Sequence, residues 1–233
     1  MRRGAAAAES ARLEISYARR RAAAHDSWFD PSYRFMRQDR ERHVLELLAR
    51  EGLLTLAGRD ILDVGCGVGN WLRDLVRWGA TPVKLFGVDL LADRVERART
   101  LVAPGVTVTR GDMAALEFPD ASFDLVVQST VFSSILDDER RRRSAAEMRR
   151  VLRHGGLILW YDFHVNNPGN PDVRAVTRHE IAALFPGCSV RMERLTLAPP
   201  LARAIAPYSR VACELLSMLP FLRTHTLAAI RPA

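Results

Sequence analysis

Cysteine is scarce in this chain. Cys66, Cys188 and Cys213 are far apart, odd in number and show no metal-ligand spacing, which excludes a disulfide scaffold and a zinc cluster. No apolar run reaches about 18 uninterrupted residues, so no transmembrane helix is expected. The alanine- and arginine-rich start lacks the apolar core of a secretory signal, and Glu9 and Glu14 argue against an organellar presequence. A reduced, cytoplasmic setting is the expectation that these absences leave. With 48% hydrophobic and 26% charged residues over 233 positions, global disorder is excluded, and one domain with a full core is expected. Lysine is also nearly missing: the formal charge of +7 comes almost wholly from arginine, spread from Arg2 to Arg231. Such a balance signals nucleic acid, an anionic membrane face, an acidic substrate, or only an arginine-rich composition.

What the chain does carry is a strand that breaks into glycine. Ile61-Leu62-Asp63-Val64 is an aliphatic run holding one acid; Gly65-Cys66-Gly67-Val68-Gly69-Asn70 follows. Trp71, Leu72, Leu75 and Val76 then fall at helical spacing until Gly79. The pattern predicts a strand, a tight turn and a helix. Glycines there let the backbone take unusual dihedrals and let a ligand lie directly against it. A dinucleotide pyrophosphate site and a nucleoside site both use such a turn. The dinucleotide fingerprint sets its third glycine at position 70, where this chain has Asn70, and here the acid precedes the first glycine.

That order, an acid and then alternating glycines at Asp63, Gly65, Gly67 and Gly69, resembles motif I of the class I S-adenosylmethionine-dependent methyltransferases. Further matches follow in sequence. Val83 to Val88 reads as a second strand ending in Asp89 and Leu90, where a carboxylate can accept both ribose hydroxyls. Val106 to Arg110 reads as a third, and the Gly111-Asp112-Met113 after it resembles the family's adenine-binding turn. Phe123 to Gln128 reads as the fourth, and Leu152-Arg153-His154-Gly155-Gly156 as a turn before the fifth, Leu157 to Tyr161. The likeness runs over residues 61–162 and is nearest to the small-molecule branch called type 11.

The resemblance implies an α/β fold: a Rossmann-like, doubly wound, seven-stranded sheet, mostly parallel with an antiparallel last strand. It also implies S-adenosylmethionine as cofactor, S-adenosylhomocysteine as product and no metal. Asp63, Gly65, Cys66, Gly67, Gly69, Asn70, Asp89, Leu90, Asp112, Met113 and Gln128 would then surround the cofactor. On this reading residues 1–55 form an N-terminal helical lid, 56–165 the cofactor-binding core and 166–233 the substrate-side half, with a helical insert at 196–223.

Elsewhere the patterns are plainer. Leu13, Ile15, Tyr17 and Ala18 permit a helix from Ser10, leading to an aromatic cluster of Trp28, Phe29, Tyr33 and Phe35. That cluster is either a lid, with Tyr17, Tyr33 or a nearby arginine on the methionyl carboxylate, or simple packing. Asp30-Pro31 marks a turn, and Phe35 to Arg50 an amphipathic helix stopped by Gly52. A helix with Val95, Ala98 and Leu101 on one face ends at Pro104-Gly105. Phe132 either edges the substrate pocket or fills the core. Arg140 to Arg143 reads as a phosphate or nucleic-acid patch or, more plainly, a solvated helix face. Thr177 and Glu180 form a capping box for a helix to Leu184, Cys188 to Leu195 alternates as a strand, and Thr224 to Ile230 closes the sheet.

Methyl transfer from a sulfonium needs alignment and exclusion of water more than a triad or a metal. Where the acceptor is a hydroxyl or an ammonium, a base must also take a proton. His164, just beyond the fifth strand, is the candidate base, with Tyr161 and Asp162 beside it. The partner expected is a small-molecule acceptor such as a metabolite, sugar, polyketide or lipid-like compound, methylated on oxygen or nitrogen, with at most peripheral membrane contact and a monomer or homodimer. Two other readings stay open: an RNA methyltransferase, for which the chain has the charge but no appended RNA-binding motif, and a non-catalytic cofactor-binding scaffold of the same fold.

Overall fold

Run length and alternation decide which segments become strands. The computed structural model describes Arg12, Ile15, residues 27–166 and residues 169–232. Apart from Arg12 and Ile15, the helix expected from Ser10 lies outside the described residues, as do Asn167 and Pro168.

Helix α1 (Pro31–Arg50) starts earlier than its apolar spacing indicates. The Asp30 carboxylate accepts from the Ser32 and Tyr33 amides at 2.7 and 3.2 Å, and Pro31 takes the first helical position, where no N–H is missed. So Asp30-Pro31 opens the helix instead of turning ahead of it. Its end is the expected one. Gly52 has φ +77°, its amide donates to Ala49 O and that of Leu53 to Leu48 O, which together close the last turn.

Seven strands follow: β1 (Ile61–Val64), β2 (Leu85–Asp89), β3 (Thr107–Arg110), β4 (Phe123–Ser129), β5 (Leu152–Phe163), β6 (Cys188–Leu197) and β7 (Arg223–Pro232). They form one sheet in the order β3-β2-β1-β4-β5-β7-β6. The pairs β1 with β2 and β4, β2 with β3 and β4 with β5 are parallel, whereas β7 runs antiparallel to both β5 and β6. β1 is buried at all four positions, as a central parallel strand must be.

Helices α1, α2 (Asn70–Arg77) and α3 (Ala92–Leu101) cover one face, where Val44, Leu72, Leu75, Val95 and Ala98 pack on Ile61, Leu125 and Leu157. Helices α4 (Asp138–Val151) and α5 (Arg178–Leu184) cover the other, where Met148, Val151 and Ile181 pack on Leu62, Val126 and Ile158. The doubly wound sheet expected from the sequence is thus the observed one. Between β6 and β7 the chain makes an excursion through α6 (Pro199–Ile205) and α7 (Arg210–Ser217), and its two ends are clasped where the Ala198 amide donates to Leu222 O at 2.8 Å.

Several local expectations change. β2 begins at Leu85, because Pro82 has no N–H to donate and Pro82–Lys84 winds into a single 3-10 turn. Leu101 is exposed, since α3 ends there. The Leu152 to Gly156 turn is absorbed into β5: Leu152 pairs with Phe123 and Leu157 with Leu125, so the residues between bulge out of the ladder, with Gly155 at φ +75°. Thr177 caps α5 as expected, but Glu180 does not return the bond; its carboxylate accepts from Arg141 and Arg174.

Arg140 to Arg143 is not one solvated face. Arg141 is 1% exposed and donates to Ile135 O (2.7 Å), Arg174 O (3.1 Å) and Glu180 (2.5 Å), while Arg140 pairs with Asp112 at 2.8 Å. Only Arg142 and Arg143 face outward, both towards Glu139. Phe132 is wholly buried, with its ring 4.4 Å from that of Trp160, and so belongs to the core. No helix among the described residues is long and apolar enough to cross a membrane.

Candidate active site

The carboxyl ends of β1, β2 and β4 converge on the glycine turn. Gly65 sits at φ +70°, and a Cβ there would lie 2.4 Å from Val131 Cγ2. Gly67 sits at φ +58°, and a Cβ there would lie 2.6 Å from Arg94 Nη2. Gly65 therefore needs glycine twice over, for backbone conformation and for space, whereas Gly67 needs it for conformation, since the end of the Arg94 side chain can move aside. The turn is tied to β2 by its own amides: those of Gly65 and Cys66 donate to Val88 O at 2.7 and 3.0 Å. The Gly67 amide donates to Asp89 Oδ2 at 2.8 Å, and Asp89 Oδ1 accepts from Leu91 at 3.0 Å.

Beside this turn lies a hollow of about 510 Å³, measured out to solvent. Of the residues expected there, Gly65, Asp89, Leu90, Asp112 and Met113 line it. Val131 and Ser134, just beyond β4 where an open sheet forms its crevice, line it too, as do Ile135, Arg94 and Arg140; the two arginines were missed, because arginines early in two different helices carry no local signal of a shared cavity. Arg94 stands 3.8 Å from the Asp89 carboxylate. Asp112 Oδ1 accepts from Arg140 and from the Ala114 amide, which fixes the carboxylate in place.

The other expected residues lie elsewhere. Cys66 turns into the core, where a Cβ on Gly87 would lie 2.9 Å from its sulfur, and burial pushes its thiol well above the usual range. That thiol is a packing group. Asn70 Oδ1 accepts from Arg73 at 2.5 Å, Gly69 is the left-handed residue that opens α2, and Gln128 is wholly buried.

Asp63 is buried on the α1 face of β1. Burial raises its carboxyl well above the ordinary carboxylate range, the nearby Asp89 raises it further and Arg40 opposes the rise. Arg40, from α1, stands 4.6 Å from the Trp71 ring and 5.5 Å from that of Tyr161, with Asp74 at 3.4 Å. Burial first, then Arg37, lowers the Arg40 guanidinium to about 10. Three polar atoms of this cluster find no hydrogen-bond partner among the described residues: Asp63 Oδ2, Arg40 Nε and Trp71 Nε1. Buried groups left unpaired are costly, and two donors with one acceptor are what an amino-acid head group, carboxylate and ammonium, would satisfy. The residues present thus fit a ligand with a nucleoside at one end and an amino acid at the other.

Strand alternation separates the two catalytic candidates. Tyr161 lies on the α1 face with Leu157 and Leu159; its hydroxyl meets Thr196 Oγ1 at 2.9 Å, and burial pushes it up to about 12. His164 instead meets Thr226, the partner of the opposite-facing Asp162, through Nδ1 at 3.3 Å. Burial, then Arg194, holds His164 below its usual range. Asp162 is raised by burial to about 6 and accepts from the Ser133 amide.

His225, passed over in the sequence, stacks on Tyr161 with ring centres 4.7 Å apart and planes 9° apart, and burial lowers it to about 3. Thr196 holds φ +66° while buried, a strained conformation for a β-branched residue. Among the described residues no three His, Cys, Asp or Glu side chains are grouped to hold a metal ion.

A family model described as a methyltransferase domain matches residues 61–156. A sterol 24-C-methyltransferase of Yarrowia lipolytica is 32% identical over 148 residues, 60% of this chain and 37% of that one. A 2-methyl-6-phytyl-1,4-hydroquinone methyltransferase of Synechocystis sp. is 37% identical over 117 residues, 48% of this chain and 35% of that one. The chain therefore spans little more than a third of the length of these curated relatives. In fold it resembles an S-adenosylmethionine dependent methyltransferase of Mesorhizobium loti, with a TM-score of 0.57 and 20% identity over 82% of this chain and all (100%) of that one. Residues 61–156 thus match a methyltransferase domain, and the sheet order and glycine turn around them are those implied by the likeness to the class I S-adenosylmethionine-dependent methyltransferases.

Proposed function

We propose that the protein transfers a methyl group from S-adenosylmethionine to a small, lipid-like acceptor. The observation that carries this reading is the pairing of two neighbouring sites: a hollow bounded by Asp89 and Asp112, and a buried cluster in which Asp63, Arg40 and Trp71 each leave a polar atom unmet. When bound, S-adenosylmethionine supplies a methyl group already activated on a sulfonium. The residues of the chain bind and orient. Asp89 takes the ribose hydroxyls and Asp112 the adenine edge; Asp63 takes the ammonium, and Arg40 with Trp71 the carboxylate.

Burial of this cluster excludes water from the transfer. Tyr161, fixed by Thr196 and stacked on His225, forms a rigid floor beneath Arg40. His164, kept neutral at neutral pH by its lowered affinity for protons, accepts the acceptor's proton at the ring nitrogen that Thr226 does not engage. A lipid-like acceptor is supported by the relatives named for a sterol and a phytylated hydroquinone. A nucleic-acid acceptor draws less support, since Arg140 and Arg141 are spent on Asp112 and Glu180.

Calorimetric titration tests the first half of the reading. S-adenosylhomocysteine should bind the wild type, bind Asp89→Ala at least about tenfold more weakly, and not be displaced by NADH. Labelled methyl from S-adenosylmethionine should then appear in the organic phase of a cell extract. Binding of NADH in place of S-adenosylhomocysteine, or label confined to RNA, would overturn the proposal.

A further inference from the structure

β6 runs in the direction of β1 to β5 and ends at Leu197, and β7 begins at Arg223, so the excursion between them stands at the carboxyl edge of the sheet, where the crevice opens. The start of α1 stands there too. Phe35 and Met36 pack with Leu197, Ala202 and Cys213, while Glu51 at the far end of α1 meets Arg231 and Arg191 on the opposite edge.

This edge exposes more apolar surface than its packing requires. α7 buries Cys213 alone; across it, Val211, Leu215 and Met218 fall four and three residues apart and are 63%, 61% and 68% exposed. Tyr208 and Phe221 flank them at 89% and 76%, and Phe29, just ahead of α1, is 93% exposed. Scattered exposed apolar residues need no account, but a helical stripe with aromatic residues at both ends marks a surface that something covers.

Charge selects the occupant. Arg203, Arg210 and Arg223 stand against Glu214 alone in this stretch, and the whole chain carries +7. A second copy would set two positive surfaces face to face, which costs free energy, whereas an anionic lipid surface complements them. α7 is eight residues long and holds an Arg210–Glu214 ion pair at 2.9 Å, so it can lie in an interface but cannot enter a bilayer deeply.

We propose that this edge seats the protein on an anionic lipid bilayer. Val211, Leu215, Met218 and Phe221 enter the boundary between head groups and acyl chains, Arg203 meets lipid phosphate, and the mouth of the crevice faces the membrane. That the acceptor is a lipid drawn from that bilayer rests on the function proposed above. The seating itself does not.

Flotation of the full chain with vesicles of phosphatidylcholine alone, or of phosphatidylcholine with phosphatidylglycerol, tests it. The wild type should float with the anionic vesicles, less with the neutral ones, and less at high salt. Leu215→Glu with Met218→Glu should lose at least about tenfold in partitioning, and Arg203→Glu should lose the anionic preference. Both variants should keep their affinity for S-adenosylhomocysteine, which shows that they fold. Three outcomes would overturn the proposal: no flotation of the wild type, variants that float as well as the wild type, or a wild-type dimer that the double variant dissolves while neither binds vesicles. Flotation without any binding of S-adenosylhomocysteine would sink the proposed function and leave the seating intact.

Discussion

Alanine at Gly65 and at Gly52 should separate backbone strain from steric conflict. Both glycines have left-handed φ, +70° and +77°, so each substitution costs on the order of 1 kcal/mol for the conformation alone. Gly52 has nothing within 4 Å of an added Cβ, and its cost should stop there. At Gly65 the new atom meets Val131 Cγ2 at 2.4 Å and Cγ1 at 2.9 Å, and the Val131 Cβ itself lies at 3.2 Å, so turning that short side chain does not clear the conflict.

Overpacking of that kind adds about 1–3 kcal/mol. With roughly 3 °C of Tm per kcal/mol for a chain of this size, Gly52→Ala should lower Tm by about 3 °C and Gly65→Ala by about 6–12 °C. Differential scanning calorimetry reads both. Val131→Ala in the Gly65→Ala background removes the two colliding methyls and should restore most of the excess, leaving a deficit close to that of Gly52→Ala plus the cost of the Val131 change alone. Equal Tm losses for the two glycine variants, or no restoration in the double variant, would refute the claim that close approach of Val131 is what holds Gly65.

Other expectations follow from buried charge. Hydrogen bonds with Asp39 and Glu193 push His43 up to about 9 from an ordinary 6.5, so its contribution is fully present below pH 6.5 and is lost as pH rises towards 9. Stability measured by urea unfolding should fall by on the order of 2 kcal/mol across that window, and His43→Gln should flatten the fall. Arg141→Ala takes a donor from the buried Ile135 carbonyl and from Arg174 O, and leaves Glu180 with Arg174 alone; it should cost on the order of 3 kcal/mol, read as a lower urea midpoint at unchanged slope.

Because burial raises the Asp63 carboxyl, its ionised form weakens the fold above the ordinary carboxylate range. Asp63→Asn should therefore raise Tm at neutral pH while weakening S-adenosylhomocysteine by about tenfold or more in calorimetry. A lower Tm together with intact affinity would contradict both roles given to Asp63.

The cofactor half of the fold was legible because its signals are local. Acid, glycines and helix spacing lie within one stretch, and the order of the strands follows from right-handed crossovers. The missed residues share a different origin. Arg94, Arg140 and Arg40 come from separate helices and meet near the glycine turn only after the sheet has formed, and burial of Arg141 depends on the loop carrying Arg174.

The separation of Tyr161 from His164, by contrast, has a local signal. A period of two along β5, carried one residue past Phe163 by the bond from the His164 amide to Thr224 O, sets the two on opposite faces, so they cannot act as one catalytic pair. His225 had no such signal. It reads as a residue near a strand end, and only antiparallel pairing of β7 with β5, setting His225 opposite Phe163, brings it against Tyr161.

The clasp between Ala198 and Leu222 means that everything between them leaves and re-enters the sheet through one doorway. A segment tethered so can be lengthened at little thermodynamic penalty wherever Ala202 and Cys213 keep their packing on α1, since doubling such a loop costs only about 0.6 kcal/mol of closure entropy. Chains of this architecture can thus be refitted for new acceptors, or new surfaces, by extending that cassette while the nucleoside-holding strands stay untouched.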